Sequence, residues 1–288
     1  MNSVSHHRLK RWGVLTFRGP DALRFLHSQL TADVAGLAQG EARPAAWCNP
    51  QGRVLAVLWL LRTADGALAV LPRELAPTVA EGLRRFVLRA KVAVADESGQ
   101  LEVVGLAGDA AALPAAPAEV VVGRQSAGRA LLVGPAAAID AACAGIEARE
   151  DAWSALALSR GEPQVVPATS GEWIPQMLNL DLIGAVSFDK GCYPGQEIVA
   201  RAHHLGRVKR RMARYTVVAG PLPGPGEALY LAGQKVAETV AAAPGDPAQV
   251  AAVVNLEALG QPLGDEGGAL ALEPAPLPYA LPEAPSAG

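Results

Sequence analysis

Two turn signals fix the middle of this chain. Asn49-Pro50-Gln51-Gly52 separates AAWC from VLAVLWLL, and Asp65-Gly66 separates that run from ALAVL. Proline presets φ and glycine admits positive φ, so the first tetrapeptide reads as a tight turn. Asp-Gly between apolar runs is a strong hairpin signal. The run Val54–Leu61 is too short to span a bilayer and too apolar for a solvated strand. It must be a buried strand, with antiparallel neighbours on either side.

The flanking pattern mixes helices with strands. Gly13–Phe17 reads as a short strand, after which Asp21 caps a helix with Leu23, Leu26 and Leu30 on its apolar face. A helix is expected around 78–90, with Val79, Leu83 and Phe86 on one side, then strands near 92–95 and 101–106. Helical spacing returns at 135–143 and 151–159, and LPAAPAE at 113–119 reads as a surface connector. Such alternation predicts an α+β fold rather than a doubly wound sheet. From about 208 the short runs MARYTVV, EALYLA, QVAAVVNL and GALALE are separated by PLPGPG and APGDP. That is the pattern of a small β-barrel. The closing PAPLPYALPEAPSAG is expected to be a loosely ordered tail.

At 288 residues, two or three domains are expected. A net charge of −3 argues against a polyanion binder by bulk charge, so any such contact needs a local patch. MNSVSHHRLKRWGVLTF carries no apolar core of signal-peptide length, and a cytoplasmic protein without membrane segments is expected. Cys48, Cys143 and Cys192 are spaced for neither a disulfide framework nor an autonomous metal site.

The stretch KGCYPGQEIVARAHHLG at 190–206 carries the densest chemistry. Gly191 and Gly195 permit tight turns, and Gly195-Gln196-Glu197 begins a helix through about His203, with Glu197 in its first turn, where the dipole favours an acid. Cys192 lies just before that helix and two residues from Lys190, an arrangement that favours a thiolate. The alternative is a small residue that fits a crowded turn. His203 and His204 are roughly 12–16 Å away along the helix, too far for a Cys/His dyad. Arg201, His203, His204, Arg207, Lys209, Arg210, Arg211 and Arg214 follow closely. They read either as an anion patch for a polyglutamylated cofactor or an RNA backbone, or as charges protecting a sheet edge. The cluster lacks the interleaved aromatics of a base-stacking platform.

KGCYPGQE within IPQMLNLDLIGAVSFDKGCYPGQEIVARA resembles the hallmark of the YgfZ-type folate-binding proteins, relatives of the aminomethyltransferase (T-protein) of the glycine cleavage system. Similar matches lie in FLHSQLTADV at 25–34, AAWCNPQGRVLAVLWLLR at 45–62 and RFVLRAKVAVAD at 85–96. The resemblance implies a three-domain ring around a channel for tetrahydrofolate, with a C-terminal β-barrel. The boundaries expected are 1–47 plus 145–205, 48–144, and 206–288. It implies an accessory role in maturation or repair of iron–sulfur enzymes, among them a tRNA methylthiotransferase, and hence an effect on tRNA modification. A mitochondrial relative serves iron–sulfur assembly, and a link to replication initiation is a further implication.

Carried over position by position, the resemblance assigns the folate-contacting tryptophans to Trp12 and Trp153. It assigns the functional thiol to Cys192, with Lys190 as its basic neighbour and Gln196 and Glu197 shaping the turn. Trp47, Trp59 and Trp173 are read as structural. A metal site is not implied. A one-carbon transferase or demethylase is the rival reading, but T-proteins place an acid in the strand that corresponds to 52–62. Ala56 and Val57 stand there, and no carboxylate occurs from Arg53 to Arg62. Other acids, such as Asp65 or Asp181, could still approach the channel in three dimensions. A weaker direct contact with tRNA falls to Arg201, Arg207, Lys209, Arg210 and Arg211.

Overall fold

A computed structural model describes residues 4–108, 116–125, 128–149, 152–204 and 208–282. Arg207 and residues 113–115 of the expected connector lie outside them. The chain opens with β1 (Ser5–Arg8), β2 (Trp12–Arg18), α1 (Ala22–Gln29), β3 (Ala42–Cys48), β4 (Val54–Thr63) and β5 (Gly66–Pro72). Next come α2 (Ala76–Arg84), β6 (Ala93–Asp96), β7 (Glu102–Ala107), β8 (Val121–Gln125), β9 (Arg129–Gly134) and α3 (Ala136–Ala142). After β10 (Glu147–Ala148), α4 (Ala152–Ser159) and α5 (Gln196–His204), six strands follow. They are β11 (Arg210–Ala219), β12 (Ala228–Leu231), β13 (Gln234–Ala243), β14 (Gln249–Asn255), β15 (Leu263–Gly264) and β16 (Ala271–Ala275).

The chain divides into two compact units. The first comprises Met1–Trp47, Ala56–Trp153 and Asp189–Pro194; the second comprises Cys48–Leu55, Ser154–Phe188 and Gly195–Gly288. Two five-stranded sheets lie almost wholly in the first. Their orders are β3-β4-β5-β2-β6 and β10-β1-β7-β9-β8. The apolar run expected to be a central strand is β4, and every residue of β5 beside it is buried. The β4–β5 hairpin closes with Thr63 opposite Gly66. Gly66 sits at φ 156°, where a Cβ would fall 1.9 Å from the Phe17 carbonyl oxygen, so the turn accepts no side chain.

Three local expectations need correction. Asp21 occupies the N-cap position of α1 but does not cap it, because its carboxylate accepts the Lys91 backbone N–H at 2.8 Å. The buried face of α1 is Ala22, Phe25 and Leu26, with Leu23 only half-buried. The helix expected at 78–90 ends at Arg84. There the backbone N–H groups of Phe86 and Val87 turn to the i−3 carbonyls of Leu83 and Arg84, and Phe86 emerges 49% exposed.

The second unit contains the barrel. Strand order β11-β14-β13-β12-β15-β16 closes on itself because β11 pairs with both β14 and β16. Val250, Ala252 and Val254 alternate into a core with Tyr215, Leu229 and Leu272, as the two-residue period of a strand requires. The proline-rich tail is tied down over its described part. Tyr279 donates to the Gly161 carbonyl at 2.8 Å and accepts from the Asn179 side chain at 3.3 Å. Burial pushes its phenol up to a pKa of about 12. The half-buried ring and its two hydrogen bonds, rather than the prolines around it, fix the segment.

Candidate functional site

Residues 189–194 belong to the first unit and carry the thiol. Cys192 is exposed, whereas Cys48 and Cys143 are buried. Burial drives both of those thiols up in pKa, that of Cys48 to about 12, which keeps them protonated and unreactive. Cys192 is therefore the one thiol of the chain that a reagent in solvent can meet.

Lys190 does not stand as a free cation in this segment. Its ammonium donates to the backbone carbonyls of His27, Leu30 and Ala32, the last two at 2.5 and 3.0 Å. The first of these is an orphan carbonyl at the C-terminal end of α1, where a cation also suits the helix dipole. The Tyr193 ring lies 5.0 Å from the same nitrogen and is itself buried. The FLHSQL stretch and the KGCY stretch thus meet through one amine, which pins the residues on either side of Gly191 and Cys192.

Burial lowers the pKa of Lys190 to about 8, outweighing the opposing pull of the Asp33 charge. An unfolded chain would hold that proton up to about pH 10.4. Between those values the unfolded state binds more protons than the folded one, so stability rises with pH across the window. Below about pH 8 both states are charged, and the contribution is flat. The urea midpoint of the native chain, less that of Lys190→Met, should accordingly climb from pH 8 to 10. A difference that stays level across that range would mean that the amine titrates as a free lysine.

The second half of the octapeptide belongs to the second unit, where glycine explains its shape. Gly195 has φ 82°, and a Cβ there would lie 2.5 Å from the Asn49 carbonyl oxygen and 2.6 Å from the Gly52 Cα. Gly52, at φ 71°, would in turn place a Cβ 3.0 Å from Ile198. The NPQG and PGQE turns therefore pack backbone against backbone. Gln196 opens α5 half-buried, while Glu197 is exposed and pairs with Arg201 at 3.2 Å. The buried Gln176 amide donates to the Val199 carbonyl at 2.6 Å and seats the helix. At the far end His203 stacks on Phe188 at 3.8 Å.

Much of the expected basic patch is committed elsewhere. Arg211 forks onto both oxygens of Asp181 at 2.7 and 3.0 Å and donates to the Gln176 carbonyl at 2.9 Å, with 8% of either side chain exposed. It is thus no part of a surface for an anion, and Asp181 is no free acid. Arg214 donates to the Ser159 carbonyl at 2.9 Å, and Arg210 faces Glu238 at 3.9 Å. Lys209 is exposed. Residues 210–219 form β11, and both faces of the strand are covered at its start, where Arg211 and Met212 are buried.

Trp12 begins β2 opposite Pro72 and is half-buried. Trp153 is only 5% exposed. A Cβ on Gly105 would fall 2.3 Å from its ring, the Arg129 guanidinium stands 5.1 Å from the ring centroid, and His7 is tilted against it at 5.8 Å. Trp47 packs on Gly82 in the same manner, and Trp173 is buried. Ala56 and Val57 are both buried in β4, and Asp65 faces Arg18 at 3.8 Å. Among the described residues, no three His, Cys, Asp or Glu side chains gather as a metal-holding group, and no helix is long and apolar enough to cross a membrane. Nothing in the sequence announced the Arg211–Asp181 pair or the Arg129–Trp153 contact. Their partners are far apart along the chain.

No family model matches the chain. It is 32% identical over 310 residues to the tRNA-modifying protein YgfZ of Klebsiella pneumoniae (strain 342), a match that covers 96% of this chain and 93% of the relative. The protein of that name from Escherichia coli O157:H7 (strain EC4115 / EHEC) is 32% identical over 306 residues with the same coverage. Among solved structures, the glycine cleavage system aminomethyltransferase T from Bartonella henselae matches with a TM-score of 0.77 at 18% identity, over 96% of this chain and 86% of that one. At that identity the likeness shows the fold: mixed α and β with a closed C-terminal barrel.

Proposed function

The chain belongs to the YgfZ family of tRNA-modifying proteins, and on that premise we propose that it serves tRNA modification as a folate-binding accessory protein with Cys192 as its working thiol. The enzymes it maintains are iron–sulfur enzymes, a tRNA methylthiotransferase among them. The exposure of Cys192, on a segment pinned by Lys190, supports this most. A thiol left to a mere packing role would be buried, as Cys48 and Cys143 are.

When bound, a reduced folate supplies a carrier for a one-carbon unit. Its flat pterin needs an accessible aromatic face, and Trp12, half-buried, fits that need. Trp153 fits a supporting role instead, because its ring is already packed against Gly105 and Arg129. Aminomethyl transfer finds less support. Ala56 and Val57 offer no carboxylate to position a folate nitrogen, and Asp181 is held by Arg211.

Tetrahydrofolate should quench the tryptophan fluorescence of the purified chain, and Trp12→Ala should weaken binding by about tenfold. Cys192→Ala should bind folate normally yet fail to restore tRNA methylthiolation in a deletion strain. Absent quenching, or a Trp12→Ala curve that overlays the native one, would refute the folate site. Full restoration by Cys192→Ala would refute the thiol.

A further inference from the structure

The segment Arg84–Lys91, RRFVLRAK, holds four cations and no acid in a chain whose net charge is −3. It starts at the last residue of α2, and successive tight turns carry it onward. Phe86 N–H donates to Leu83, Val87 N–H to Arg84 and Leu88 N–H to Phe86, each at 3.0 Å. These turns throw Phe86 outward, with Leu88 86% exposed, while Val87 between them is half-buried. Arg85 is paired with Glu81, and Arg84 donates to the Val94 carbonyl at 2.9 Å. Arg89 and Lys91 are exposed, with no side-chain partner among the described residues.

We infer that this turn is a docking surface for an acidic segment of a partner protein that seats an apolar side chain between Phe86 and Leu88. Leu88 keeps most of its apolar surface in water in the chain alone, and seating it against a partner would remove that surface from solvent. Solubility does not call for a phenylalanine and a leucine at the tip of a turn, whereas an interface core uses such residues together with arginine. The surrounding cations select the sign of the partner and speed its approach. A nucleic-acid backbone would use the cations, but it would gain nothing from an exposed leucine and would want more than one stacking ring.

A random peptide display library selected on the full chain tests this. The enriched peptides should be rich in Asp and Glu and carry an aromatic or aliphatic residue. The synthesised winners should bind at least about tenfold more weakly to Phe86→Ser/Leu88→Ser and to Arg89→Glu/Lys91→Glu, and more weakly as salt is added. Both pairs are exposed, so unchanged thermal melting certifies the fold. Peptides of neutral or basic composition, or winners indifferent to both double variants, would overturn the inference. So would finding that either double variant abolishes binding of a bulk tRNA preparation, or self-association of the chain, while no acidic peptide is enriched.

Discussion

Replacing Arg211 by methionine costs about 3–5 kcal/mol of unfolding free energy. The guanidinium bonds both oxygens of Asp181 and the Gln176 carbonyl, and 8% of either charged side chain is exposed. Methionine matches the length but supplies no donor. Asp181 is then left as a carboxylate in a poorly solvated place, with a main-chain carbonyl beside it also unpaired. The physics predicts an asymmetry. Arg211→Met/Asp181→Leu removes both charges and should recover most of the loss, because a buried pair contributes little over an apolar substitute although breaking it is costly. Urea unfolding of the two single variants and the double closes the cycle. A loss under about 1 kcal/mol for Arg211→Met would show that water reaches the pair and that it does not hold the 175–178 turn to β11.

The second large effect separates two glycines of one octapeptide. Gly195→Ala places a methyl on main-chain atoms of Asn49 and Gly52 at 2.5–2.8 Å and demands positive φ of an L residue. Backbone strain of this kind costs about 1–3 kcal/mol, and the clash adds to it because main chain cannot swing aside. A total of about 3–5 kcal/mol is expected. Gly191→Ala meets nothing within 4 Å and should change stability by no more than about 0.5 kcal/mol. Equal effects in the two variants, read as shifts in urea midpoint, would contradict the packing of the NPQG turn on the PGQE turn.

That contrast also marks how far the sequence could be read. Both turns were visible as turns, since proline and glycine act on their own dihedral angles. That the turns touch was invisible, because Gly52 and Gly195 meet only after the intervening chain has folded. The same holds for Lys190. Its nearness to Cys192 in sequence suggested a cation beside a thiol, yet its ammonium is spent on carbonyls at the end of α1. The C-terminal barrel was legible because alternating short runs between turns leave little else to build. Phe86 was misplaced because helical spacing continues past the point where the backbone leaves the helix.

What the sequence settled alone were the properties that act over a few residues: the β4–β5 hairpin, the strand-rich C-terminal module and the turns of the octapeptide around Cys192. Tertiary structure decided the long-range matters. It buried Arg211 against Asp181, closed Arg129 and Gly105 around Trp153, and left Cys192 in solvent. The reason is that a turn or a strand preference is an energy of neighbouring dihedral angles. The burial of a charge or an indole depends instead on which distant surfaces arrive together, and no local pattern records that.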